Sequence, residues 1–167
     1  MSREVRMVPA NWEHPKDEKG HFIPLLGDSF KERAAQWDEE ARQWDNGFVR
    51  DFATDSYKPK GSEHTGTFAD WDGECPEEKD YMPDFPEAER THYQMYESTS
   101  EGTPISPVME TPEALARWLA DNNASAFADM GATYEQWLAT IKRGWAVSAV
   151  SSPRTGLVSG VEGLCEK

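Results

Sequence analysis

"THYQMYESTSEGTPISPVMETPEALARWLADN", residues 91–122, decides how this chain is read. Tyr93 and Met95 alternate with polar neighbours, which predicts a strand. "SEGTP" breaks it as a turn, and "ISPVM" is a return piece. Pro104 and Pro107 carry no amide hydrogen, so the return strand is expected to be a short edge. Thr111 then caps a helix with Pro112 at its first position and Glu113 near the positive end of the dipole. Leu115, Trp118 and Leu119 give that helix a buried face, and Asn122-Asn123 ends it. A turn joining a hairpin to a helix accounts for most of these residues. It does not account for Thr99, Ser100 and Thr103 clustering with Glu101, and those four form a candidate loop site.

Further along the chain, a second helix opens at Thr133 with Gln136 completing a capping box, and Gly144 stops it. Its apolar face is Trp137, Leu138 and Ile141, and "WAVSAV" is read as a final strand. Residues 151–167 are small and Gly-rich, and a loosely held tail is expected there. In the other direction, "EVRMV" and "HFIPLL" read as a short antiparallel pair, with Pro9 and Pro24 keeping both pieces near an edge. In "GDSFKERAAQWDEEARQWDNG", Phe30, Ala34, Trp37, Ala41 and Trp44 fall on one helical stripe. Asp28 or Ser29 caps the start and Asn46-Gly47 supplies the stop, so a helix is predicted over 29–45. Lys31, Glu32, Glu39, Glu40 and Arg42 are placed on its solvated face. The expected architecture is α+β: a small antiparallel sheet packed with about three helices, with a long irregular acidic segment in the middle. Residues 1–90 form the N-terminal region, 91–150 a strand-turn-strand-helix-helix module and 151–167 the tail, within one compact domain.

Leu, Ile, Val and Phe contribute 25 of the 167 residues, a low share beside a net charge of −14. Seven Trp and five Tyr compensate, since each buried aromatic removes roughly 150–250 Å² from water. The expectation is a small aromatic core with sizeable irregular segments. The N-terminus has no apolar stretch of secretory type, and no run is long enough to span a bilayer. Cys75 and Cys165 are expected to be reduced thiols. So acidic a chain is not expected to bind nucleic acid directly, because the phosphate backbone repels it.

The tests for chemistry are negative. No two of His14, His21, His64 and His92 have the spacing of helical metal ligands, and all four are read as surface or loop residues. Cys75 lies in "DGECPEEKD", where carboxylates oppose thiolate formation. The chain has no nucleophile-elbow, phosphate-loop or dinucleotide motif. No catalytic residue, metal site or cofactor is assigned, and a binding protein is expected rather than an enzyme.

The charge is concentrated in residues 70–90, with nine acids against Lys79 and Arg90. One reading is an extended wrap whose aromatics plug the core while its acids stay solvated. The other is a docking surface for an Arg/Lys-rich partner, with aromatic anchors and carboxylates for steering. Its candidate residues are Asp70, Trp71, Asp72, Glu77, Glu78, Asp80, Tyr81, Asp84 and Phe85.

From Val8 to about Val150 the chain resembles a group of proteins encoded by tailed bacteriophages and prophages. The segments that carry the likeness are "VPANWEHPKDEKGHFIPL", "FADWDGECPEEKDYMPDFPEAERTHYQMYE" and "TSEGTPISPVMETPEALARWLADNNASAF…TYEQWLATI". Segments similar to "EGTPISPV…TPEELARWLA" recur at the ends of other small phage proteins with different front halves, which implies a transferable module over 91–145. The resemblance implies a phage product made in the bacterial host cytoplasm, and it brings no activity or catalytic residues with it. Three roles are therefore expected in order. The first is an accessory protein that binds a host protein with a basic surface, such as a defence or nucleic-acid-handling factor. The second is a small enzyme or ligand-binding protein of phage DNA or nucleotide metabolism. The third is a minor virion component.

Overall fold

The computed structural model describes residues 2–98, 102–152 and 156–164. Its fold is α+β, and the chain divides into two compact units. Residues 1–27 with 85–167 form unit 1, and Asp28–Asp84 form unit 2. No helix among the described residues is long and apolar enough to cross a membrane.

Unit 1 is built on strands β1 (Arg3–Val8), β4 (His92–Glu97), β5 (Thr103–Pro104) and β6 (Trp145–Ala146), in the order β5-β4-β1-β6. The partner of β1 is β4, paired along its whole length from Arg3↔Glu97 to Val8↔His92. "HFIPLL", expected to pair with β1, instead bridges Lys16 through Phe22, and the Leu25 amide reaches the Gly102 carbonyl at 3.0 Å. Pro24 has no amide hydrogen to give, and the amides of Ile23 and Leu25 are spent on Pro15 and Gly102 rather than on β1. The period-two alternation of β1 and β4 sorts their side chains onto two faces. Val5, Tyr93 and Met95 face helices α3 (Pro112–Asp121) and α4 (Tyr134–Arg143). There they meet Leu115, Leu119, Trp137 and Ile141. Arg6, Gln94 and Tyr96 fall on the opposite face, which takes the 9–27 segment.

The caps are those predicted. Thr111 accepts the amide of Ala114, Thr133 and Gln136 close a capping box, and Gly144 adopts φ 95° at the helix stop. "WAVSAV" is split between β6 and β7 (Ala149–Ser152). The expected tail instead forms β8 (Gly156–Ser159), which pairs with β7, and α5 (Gly160–Gly163). Val161, fully buried in the core of unit 1, and Leu164, packed against that core, fix this region.

Unit 2 holds α1 (Phe30–Asp45), the hairpin β2 (Phe48–Asp51) with β3 (Ser56–Pro59), and the short α2 (Phe68–Asp72). Ser29 caps α1 and Gly47 follows it at φ 90°. Trp44, Val49 and Phe68 make the core, flanked by Trp37 and Ala41 from the predicted stripe. Both indoles are anchored: Trp44 Nε1 donates to the Gly66 carbonyl and Trp37 Nε1 to that of Gly73, each at 3.1 Å. Glu40 departs from the sequence reading. It is buried rather than solvated, because the hairpin delivers the Arg50 guanidinium to its carboxylate at 2.7 Å. Helical spacing gives no view of that long-range partner.

Candidate functional site

An open groove of ≈ 880 Å³ lies in unit 1. Its origin lies in the two prolines of "TPISP". β5 pairs with β4 only at Glu97↔Thr103 and Tyr96↔Pro104, and Ile105 N–H still reaches the Met95 carbonyl at 2.8 Å. The ladder then lapses until Tyr93 and Met109 exchange both backbone bonds at 2.8 Å. Between these points the amide of Met95 would be an orphan. The Ser106 hydroxyl accepts it at 2.9 Å and passes its own proton to the Pro107 carbonyl, also at 2.9 Å. The bulged 104–108 backbone forms one wall of the groove, and Trp118 of α3 also lines it. Trp12, His14 and Phe22 from the 9–27 segment complete it.

The floor is a buried polar circuit. The indole N–H of Trp12 donates to Tyr96 Oη at 3.1 Å, and His14 Nδ1 lies 3.1 Å from the same oxygen. Tyr96 in turn meets Gln94 Oε1 at 2.9 Å, while Gln94 Nε2 donates to the Ser106 carbonyl at 2.9 Å. The Arg6 guanidinium lies 4.3 Å above the Tyr96 ring, and it donates to the Leu25 carbonyl at 2.9 Å and to Glu4 at 3.1 Å. Burial pushes the Tyr96 phenol up to about 12, so it stays a neutral donor. Burial also holds His14 below the usual histidine range. Its bond to Ile23 opposes that effect and the nearby Arg6 charge adds to it. His14, expected as a surface or loop residue, lies in a loop but is only 7% exposed. Its ring packs edge-on against Phe22 and beside Tyr96, each centroid 5.5 Å away.

Of the candidate loop site, Thr99, Ser100 and Glu101 lie outside the described residues. Thr103 is partly buried in β5 and does not line the groove. The adjoining "PISP" does line it. Sequence reading missed Trp12, His14, Phe22, Gln94 and Trp118 as a group. The available signal was the density of ring residues in "NWEHP" and "HF", which no periodicity links to 94 or 118.

The acidic candidates divide by what they already do. Asp70 caps α2, accepting the amide and hydroxyl of Thr67 at 2.8 and 2.7 Å, and those bonds hold its carboxyl below the ordinary range. Glu77 pairs with Lys79 at 2.7 Å and Asp84 with Lys31 at 3.6 Å. Tyr81 is buried against Phe30 in unit 2, and Phe85 packs on Trp12 in unit 1, so neither ring is a free anchor. Asp72, Glu78 and Asp80 are exposed and form no salt bridge or side-chain hydrogen bond among the described residues. Trp71 is 48% exposed and packs at a tilt against His64 with 4.6 Å between centroids. It shares a smaller pocket of ≈ 220 Å³ with Phe48, Phe52 and Asp72. Phe52 is 76% exposed.

Among the described residues no group of three or more His, Cys, Asp or Glu is placed to hold a metal ion. Cys75 is an exposed free thiol. The chain matches no protein-family model, no curated protein and no solved structure.

Proposed function

We propose that the chain is a binding protein that docks through unit 2 on an Arg/Lys-rich protein surface. One observation carries this reading. Exposed rings of unit 2, Trp71 and Phe52, share a pocket with Asp72, and Glu78 and Asp80 are likewise uncommitted carboxylates. Unit 2 has 16 acids against seven bases, a net −9 of the chain's −14. Such a field steers a basic partner and disfavours nucleic acid, while partly exposed rings supply anchors that bury on contact. Together with the phage-like segments, this makes a basic protein of the bacterial host the expected partner, with the host cytoplasm as the place of action. Wild-type protein and the charge-reversed variant Asp72→Lys/Glu78→Lys/Asp80→Lys are immobilised and challenged with host lysate. A partner captured by the wild type, lost with the variant and weakened by salt supports the reading. Identical captures by both proteins refute it.

The groove of unit 1 favours a second reading, in which the chain holds a small ligand. Its size falls in the range of small-molecule sites, and ring faces dominate its walls. The polar floor is bonded mainly to itself, so a ligand with an apolar body fits better than a phosphate. A thermal-shift panel of nucleotides and aromatic metabolites tests this. A reproducible shift lost in Trp118→Ala supports it, and a panel without shifts removes it.

A further inference from the structure

We infer that His14 is a proton-binding site beneath the groove, and that its charge state decides whether the groove floor carries a spare hydrogen-bond acceptor. This follows from counting protons. His14 Nε2 lies 2.7 Å from the carbonyl oxygen of Ile23, which can only accept, so the ring carries a proton there. Nδ1 lies 3.1 Å from Tyr96 Oη, a hydroxyl that already accepts the Trp12 indole N–H. That hydroxyl has one proton to give, and Gln94 Oε1 stands 2.9 Å away to take it. The Gln94 amide cannot turn over, because its Nε2 is held by the Ser106 carbonyl. With a neutral imidazole, two acceptors therefore compete for one hydroxyl proton, and one of them goes without. With an imidazolium, Nδ1–H donates to Tyr96, Tyr96 donates to Gln94, and every contact is filled without moving a ring.

The surroundings oppose that proton electrostatically. On β1, Arg6 lies across the Tyr96 ring, with its charge partly offset by Glu4 at 3.1 Å. On its own segment, His14 shares the groove with Glu13 and Lys16, which are exposed and of opposite sign. The β4 residues facing it, Gln94 and Tyr96, are neutral, and the groove residues from 104–108 and α3 carry no charge. Burial therefore sets the titration below the ordinary histidine range, and the hydrogen bonds set how far below. A neutral floor offers one unsatisfied acceptor to the N–H or O–H of anything seated above it, and a protonated floor offers none. The groove's demand on a ligand thus switches with pH. This holds whether or not unit 2 binds a partner.

Nitrogen NMR of the His14 imidazole in the full chain, followed through a pH titration, tests the inference. The neutral ring is expected to carry its proton on Nε2. Gln94→Met removes the competing acceptor, so Tyr96 serves neutral Nδ1, and the imidazolium instead strands the hydroxyl proton. The midpoint is expected to fall by about half to one pH unit, the equivalent of one ordinary hydrogen bond. Tyr96→Phe also lowers it, because the imidazolium loses its acceptor. Adding Gln94→Met to Tyr96→Phe causes no further fall, since Gln94 acts on His14 only through the hydroxyl. A neutral ring protonated on Nδ1, or a midpoint unmoved by Gln94→Met, overturns the inference. The Gln94→Met result and the tautomer decide the matter alone if Tyr96→Phe does not fold.

Discussion

Ser106→Ala isolates the device that makes the groove possible. In the native chain the Ser106 hydroxyl takes the Met95 amide proton at 2.9 Å, in the middle of β4 and at a residue with no solvent exposure. Alanine leaves that N–H with no acceptor, and a buried orphan donor costs about 1–3 kcal/mol. The second bond of the hydroxyl, to the Pro107 carbonyl, adds little, because Pro107 is exposed and water can replace it. A loss of about 2 kcal/mol is therefore expected, and for a unit of this size it lowers Tm by roughly 8–9 °C. Urea denaturation read by Trp fluorescence gives the free energy, and an unchanged slope shows that the loss belongs to the folded state. Hydrogen exchange gives the cause, since the Met95 amide should lose protection relative to Tyr93, whose partner Met109 is untouched. Ser106→Thr keeps the hydroxyl and should retain most of the protection. A loss below about 0.5 kcal/mol, with the Met95 amide as slow as in the wild type, would mean that another group takes this proton. The account of the bulge would then be wrong.

The remaining predictions concern charge. Glu40→Ala leaves the Arg50 guanidinium with Asp55 alone and should cost about 2–3 kcal/mol, with Glu40→Gln costing less because it still accepts a neutral hydrogen bond. In a double-mutant cycle with Arg50→Met, the two losses should be clearly less than additive, and additivity would show that the pair is not coupled. For His14 the folded-state pKa lies below the unfolded value, so between the two the unfolded chain binds more protons than the folded one. Stability should be full above the ordinary histidine value of about 6.5 and decline as pH falls from there toward the folded-state value, before the carboxylates protonate. Urea midpoints measured across that interval check the sign, and a midpoint that rises on acidification would contradict it.

The sequence was most legible where structure is local. Caps need only a few neighbouring residues, so Ser29, Thr111, Thr133 and Gly144 were identifiable, and with them the ends of three helices. The strand at 92–97 and its proline-blunted partner were also legible, because alternation and the missing amide hydrogens of Pro104 and Pro107 are properties of single residues. Pairing was not. β1 could be matched with the nearest extended piece or with one some 90 residues away, and nothing in "EVRMV" states which. The same blindness put Glu40 in solvent and hid the burial of His14. Burial of a polar side chain depends on a partner delivered by another element, here Arg50 for Glu40 and Tyr96 for His14.

That difference explains why the candidate sites came out as they did. The hydroxyl cluster at the turn was chosen because it was unexplained locally, whereas the residue that matters in "TPISP" is Ser106, which looks like ordinary turn chemistry. Two prolines withdraw backbone donors from an edge, so the strand must leave the ladder, and a side chain must then satisfy the amide it abandons. Ser106 does so, and the displaced backbone leaves a groove above a floor whose polar atoms are already joined to one another. Substituting Pro107 by a residue with an amide hydrogen would not by itself close that groove. The Met95 carbonyl already accepts the Ile105 amide, so the new N–H would have to share that acceptor or displace a bond rather than fill a gap. The serine and the prolines therefore act as one unit, and that coupling lies beyond what residue-by-residue propensity can express.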